Sequence, residues 1–308
     1  MNISTTYKLI VNNKTTKIGA LISNAMRLTL SSLLLTSSFF TNVHADTSVS
    51  SVNALSTTVQ TTAQLNLHDN WNSLLNKHLI SMNNGGTTEV DYAAFKHDQI
   101  KLQNYLEQLG KISRSEFDAW SKSKQLAFLI NAYNAWTIEL ILTEYPDLKS
   151  IKDLGTLFKS PWDKEFIPLL GKTISLNDIE HGLIRGSDRY NEPRIHFAVN
   201  CASIGCPALR NEAYTEDKLE QQLTEQAERF LTDNSHNYIE GNTLYMSSIF
   251  KWYGDDFKKG FRGAKSIQSF VLLYSDALNL TKAQKLKLSK QDFTIKFLDY
   301  DWKLNDIH

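Results

Sequence analysis

The residues best equipped for chemistry lie in "HFAVNCASIGCPAL", His196 to Leu209, which holds both cysteines of the 308-residue chain and a histidine five positions before the first of them. A thiol attacks as its thiolate, so it needs a base within hydrogen-bond reach and surroundings that lower its pKa. Cys201 and Cys206 are the candidate nucleophiles, with His196 or His181 as base. The same pair could instead close a disulfide, enter a metal site or pack as two free thiols. A metal site is disfavoured, because no His-x3-His and no second cysteine pair completes four ligands.

Spacing favours the disulfide. "RIHFAVNC" alternates with period two and is predicted as a strand, with His196, Ala198 and Asn200 on one face and Phe197, Val199 and Cys201 on the other. His196 and Cys201 would then stand roughly 16 Å apart at about 3.3 Å per residue, too far to pair. "ASIG" between the cysteines fits a four-residue hairpin connection with Gly205 at positive φ. Such a loop sets Cys201 and Cys206 opposite each other with Cα atoms roughly 4.5 to 5.5 Å apart, which suits a disulfide. So short a loop would gain about 2 kcal/mol from chain entropy, enough to shape the loop but not to hold a domain together.

Other polar groups gather in two motifs. "NAYNAW" carries Asn131 and Asn134 three apart on one helix face, and buried amides need specific partners. They read first as a clamp onto a neighbouring loop, and Asn131 secondly as an amide orienting a catalytic histidine. "DIEHGLIR" sets Glu180 beside His181, about 100° apart around a helix, so the two do not form a simple ion pair. "IFKWYGDDF" reads as core, with Phe250, Trp252, Tyr253 and Phe257, beside an acidic rim of Asp255 and Asp256.

The elements that position these groups are mostly helical in the first half. Apolar spacing of three and four predicts helices over Asn70 to Ile80 and Tyr92 to Ile112. A third, apolar on most of its circumference, is predicted over Ser123 to Tyr145, ended by Pro146 and central to the core. "EFIPLLGKTISL" reads as a hairpin with a Gly-Lys turn, and "YIEGNTLYM" as another around Gly241 and Asn242. Ser175 with Asp178 opens a further helix that Gly186 stops. Helices are expected again over Glu216 to Leu231, Ser266 to Ala277 and Lys282 to Leu288. The class is α+β: a helix-rich single domain over 65–308, with a small, mostly antiparallel sheet.

Upstream, Lys8, Lys14, Lys17 and Arg27 precede an apolar stretch from Leu28 to Phe40 and small residues at Val43 and Ala45. This reads as a signal peptide, 1–45, cleaved after Ala45, with Met26 as an alternative start. The Ser/Thr-rich 46–64 reads as a linker. The expected location is therefore periplasmic or secreted, where a disulfide persists. The apolar stretch is too short to span a membrane, and no transmembrane segment is expected in the mature chain. Thirty-three basic residues balance thirty-three acidic ones, which leaves no electrostatic footprint for nucleic acid. The expected partner is a small molecule or an envelope protein, and no cofactor or metal is called for.

"FLINAYNAWTIELIL", "ISLNDIEHGLIR", "RIHFAVNCASIGCPAL", "YMSSIFKWYGDDF" and "IKFLDYDWKLND", in that order from about Leu65 to Asp306, resemble the domain-of-unknown-function 547 family. The resemblance marks Asn131, Tyr133, Asn134, Glu180, His181, Arg185, His196, Cys201, Cys206, Trp252, Tyr253, Asp301 and Trp302 as motif positions. Ala208 stands where a second proline is often found, so the loop is slightly less stiff. The residues support a disulfide-stapled binding or scaffold module of the cell envelope. The alternative is a thiol-dependent hydrolase or acyl transferase using Cys201 or Cys206 with His196 or His181, oriented by Asn131 or Glu180; a redox protein with a reversible disulfide comes third, since Cys-x4-Cys is not the Cys-x-x-Cys of thioredoxin-like proteins.

Overall fold

The computed structural model describes residues 66–82, 86–156, 158–187 and 189–307, all within a unit that runs from Thr62 to His308. The expected leader and linker, 1–45 and 46–64, lie outside the described residues. The architecture is α+β, with helices around one central helix and short strand pairs at the edges.

Helix α1 (Asp69–His78) ends two residues before the expected Ile80, because Leu79–Met82 (β1) turns out to pair antiparallel with Thr87–Val90 (β2). The helix expected over Tyr92 to Ile112 is two, α2 (Tyr92–His97) and α3 (Gln99–Gly110), broken at Asp98. There the Asp98 carboxylate accepts Lys77 Nζ at 2.6 Å and His78 Nε2 at 2.8 Å, tying the break to the end of α1.

After α4 (Arg114–Ala119) comes α5 (Lys122–Leu142), started by Ser121, whose hydroxyl accepts the Lys124 N–H. It is buried around its whole circumference from Gln125 to Ile138, as its apolar run requires. The Tyr92, Phe95, Leu102 and Tyr105 side chains pack in the first core with it.

Strands β3 (Ile167–Leu169) and β4 (Lys172–Ile174) form the first expected hairpin, but its turn residues are Leu170 and Gly171, both at positive φ, rather than Gly-Lys. Helix α6 (Leu219–Thr232) is followed by β5 (Tyr238–Glu240) and β6 (Thr243–Met246), the second expected hairpin. β6 also pairs in parallel with β7 (Thr294–Phe297), the one departure from antiparallel order among the described strands. Between these lie α7 (Ile249–Trp252), α8 (Ile267–Leu272) and α9 (Lys282–Lys290). A second core forms here around Phe197, Phe230, Phe250, Phe257 and Phe270.

"RIHFAVNC" is not a strand. Pro193–Phe197 coils into a 3-10 turn and every residue of it is buried, so period two reflected burial on all sides rather than one sheet face. Pro193 also lacks the N–H that a ladder would use. A buried backbone without a ladder needs other partners, and side-chain amides supply them. Asn134 on α5 donates to Ala198 O at 2.9 Å and accepts from Asn200 N at 2.8 Å. Gln226 on α6 donates to both Phe197 O and Ala208 O, and Asn200 to Pro207 O. Asn131 does the same for the next stretch, holding Tyr214 by its N and O.

Candidate functional site

The segment ahead of the histidine is wound into a wide π-type helical turn, Asp178–Arg185, a form that recurs at functional sites. Its entry is fixed as expected: Ser175 N donates to Asp178 Oδ2 at 2.9 Å and Asp178 N to Ser175 Oγ at 3.1 Å. This turn buries Glu180, leaves His181 partly exposed and aims Arg185 at the next element.

His196 lies at the junction of the two cores, stacked on Tyr253 with ring centroids 3.9 Å apart. Its Nε2 is 2.9 Å from Asp256 Oδ2, and Asp256 also receives Arg185 Nε at 2.5 Å and Lys259 Nζ at 2.9 Å. Burial raises the Asp256 pKa, but these three donors outweigh it and hold the carboxyl far below the usual carboxylate range. Burial pushes the His196 pKa down, against the upward pull of Asp256 and Glu180. Burial thus favours the neutral ring, and since an ionised Asp256 can only accept, the geometry assigns the proton to Nε2 and the lone pair to Nδ1.

That lone pair faces Glu180. His196 Nδ1 and Glu180 Oε1 are 3.9 Å apart, and both are buried without a hydrogen-bond partner. Two acceptors cannot satisfy each other, and an unpaired buried acceptor costs about 1–3 kcal/mol. Tyr133 and Tyr253 stand beside the same carboxylate; burial first, then the Glu180 charge, raises both hydroxyl pKa values.

Both orphaned atoms belong to residues that line a cavity of about 300 Å³. Its walls are aromatic: Tyr133, Trp162, Trp252, Tyr253, Tyr300 and Trp302 all contribute. Trp252, Tyr300 and Trp302 pack on one another with centroids 4.5 to 5.7 Å apart. The cysteine loop also lines it, with Val199, Cys201, Cys206 and Pro207.

Cys201 and Cys206 are at disulfide distance, Sγ to Sγ 2.13 Å, with Cα atoms 6.1 Å apart. The loop differs from the expected hairpin. Positive φ falls on Ala202, not on Gly205. Gly205 is needed for close approach instead: a Cβ there would meet Asp301 N and O and Tyr300 Cδ1, each at 3.0 Å. The chain's tail lies against this loop, with Ile204 N donating to Lys303 O and Gly205 N to Asp301 O. Tyr300 Oη sits 3.1 Å from Cys201 Sγ and 3.2 Å from Cys206 Sγ.

Of the candidates, His196, His181, Glu180, Cys201 and Cys206 meet at this one cavity. Asn131 does not; it clamps Tyr214. Asn134 is the amide that holds the His196 to Cys201 backbone. His181 is 40% exposed and its Nδ1 lies 2.6 Å from Arg185 Nη1, so it belongs to the rim. Asp256, part of an acidic rim by sequence, instead holds His196 across 60 residues that no local pattern connects. Tyr300 was missed altogether; only its place inside "IKFLDYDWKLND" could have pointed to it. Among the described residues no group of three His, Cys, Asp or Glu is arranged to hold a metal, and no helix is long and apolar enough to cross a membrane.

Fold and site define an α+β protein with a buried His–Asp pair opening into an aromatic cavity beside a short cysteine loop. Residues 117–231 match the model of the family described as "Protein of unknown function, DUF547". Neither a curated protein nor a solved structure matches the chain. The match takes in α5, the π-type turn and the cysteine loop, but is shorter than the Leu65 to Asp306 of the sequence resemblance. Trp252, Tyr253, Asp256, Tyr300 and Trp302, which complete the cavity and its His–Asp pair, lie beyond it.

Proposed function

We propose that the protein is an exported, disulfide-stapled binding module of the cell envelope whose small-molecule ligand sits in the aromatic-walled cavity. The Cys201 and Cys206 sulfurs, at disulfide distance on the cavity wall, support this reading, because a bonded pair leaves a shaped surface and no thiolate. Concave, mainly apolar cavities with a few convergent polar groups are the usual form of small-molecule sites. The export part rests on the leader that the sequence predicts to end at Ala45. A thiol-dependent hydrolase takes second place, since the pair must open before either sulfur can attack.

The test is to express the full chain in a bacterium and weigh the protein from the extracytoplasmic fraction. The expected species begins at Asp46 and is two hydrogens lighter than its reduced form. Retention of the whole chain in the cytoplasm, or two free thiols in the exported protein, would overturn the reading.

A further inference from the structure

The geometry points to a primary ammonium group as what the floor of the cavity takes, its hydrogens shared between His196 Nδ1 and Glu180 Oε1, with the apolar body of the ligand against Trp252, Tyr300 and Trp302. This deepens the binding reading and rests on it.

The two acceptors are 3.9 Å apart, buried to 3% and 4% residual exposure, and without partners. One donor atom about 2.8 Å from each would see them roughly 90° apart, close to the angle between two hydrogens on a tetrahedral nitrogen. A hydroxyl has a single hydrogen and leaves one acceptor orphaned; a quaternary ammonium has none to give.

Charge agrees. Asp256 is matched by Arg185 and Lys259, whereas among the described residues Glu180 has no Lys or Arg ion partner, only the two histidines at 3.9 and 4.0 Å. Arg185 Nη1 already occupies His181 Nδ1. Aromatic faces around a carboxylate favour a cation over a neutral ligand. Lys152 illustrates the affinity of this aromatic cluster for ammonium: its Nζ lies 3.7 Å from the Trp302 ring centroid.

The test is tryptophan-fluorescence titration of the full oxidised chain with benzylamine, which is protonated at neutral pH, against benzyl alcohol and benzyltrimethylammonium. Benzylammonium is expected to bind about tenfold tighter or more than either analogue. Glu180→Gln is expected to lose about tenfold or more of that affinity. Its melting temperature should hold or rise, since the new amide N–H can donate to His196 Nδ1. Equal binding of the alcohol or the quaternary salt, or no saturation by any probe, would overturn the inference, and so would an unchanged affinity in Glu180→Gln. The mass of the same sample separates the two claims: a closed disulfide without amine selectivity sinks this inference alone, whereas free thiols sink the staple reading whatever the amine does.

Discussion

At the scale of single residues, Asp256 decides the state of His196, because an ionised carboxylate can only accept and so fixes the proton on Nε2. Asp256→Asn removes that constraint and leaves Arg185 without its charged partner. Both Arg185 and Lys259 retain access to solvent, so the expected loss is about 1–3 kcal/mol in urea unfolding rather than the larger cost of a sealed ion pair. Imidazole nitrogen NMR should show His196 shifting tautomer; an unchanged tautomer would mean that packing on Tyr253 alone sets it. A second histidine gives a pH signature. Burial, offset in part by Asp69, lowers the His68 pKa from 6.5 to about 4. Between those values the unfolded chain binds a proton that the native state refuses, so stability falls as pH drops from about 6.5 towards 4. His68→Gln is expected to flatten that part of a melting-temperature against pH curve; an unchanged slope would contradict it.

At the scale of elements, the sequence was readable where a pattern runs over many residues or ends in a clear turn, and blurred where a short segment is buried on every side. Helix α5 announced itself by apolar residues on most of its circumference, and both hairpins by their glycine turns. "RIHFAVNC" misled because it is short: over so few residues, burial on every side erases the difference between a strand and an irregular segment, and only the side-chain amides reveal the latter. The break at Asp98 was equally hidden, since its cause is a contact with α1 rather than a local breaker. If amide clamps replace ladders, Asn134→Leu strands Ala198 O and Asn200 N. The expected cost is about 2–4 kcal/mol by denaturant midpoint, with faster reduction of the Cys201–Cys206 pair. A variant within about 0.5 kcal/mol of wild type would refute the clamp.

At the scale of the whole unit, the site is where the two cores and the chain's tail meet. α5 and the cysteine loop come from the matched family segment, while Asp256, Tyr253 and the Tyr300–Trp302 wall arrive from later in the chain. That convergence was not legible, because nothing local links Tyr300 to sulfurs nearly a hundred residues earlier. The five candidates that share the cavity were found by residue type, and their arrangement only by folding. Gly205 is the pinch between loop and tail. Gly205→Ala would press a methyl group on Asp301 and Tyr300, with an expected loss of about 1–3 kcal/mol and earlier proteolysis after the tail lifts. Wild-type resistance to protease at the tail would count against that docking. If Cys201 and Cys206 are bonded as proposed, reducing them should cost only about 2 kcal/mol and leave the unit folded. The most direct measurement is therefore alkylation of the native, unreduced protein with iodoacetamide, followed by peptide mapping of Cys201 and Cys206. The expected result is no label on either until a reductant is added. Labelling of one or both sulfurs in the folded protein would contradict a stapled wall and return the cavity to thiol chemistry.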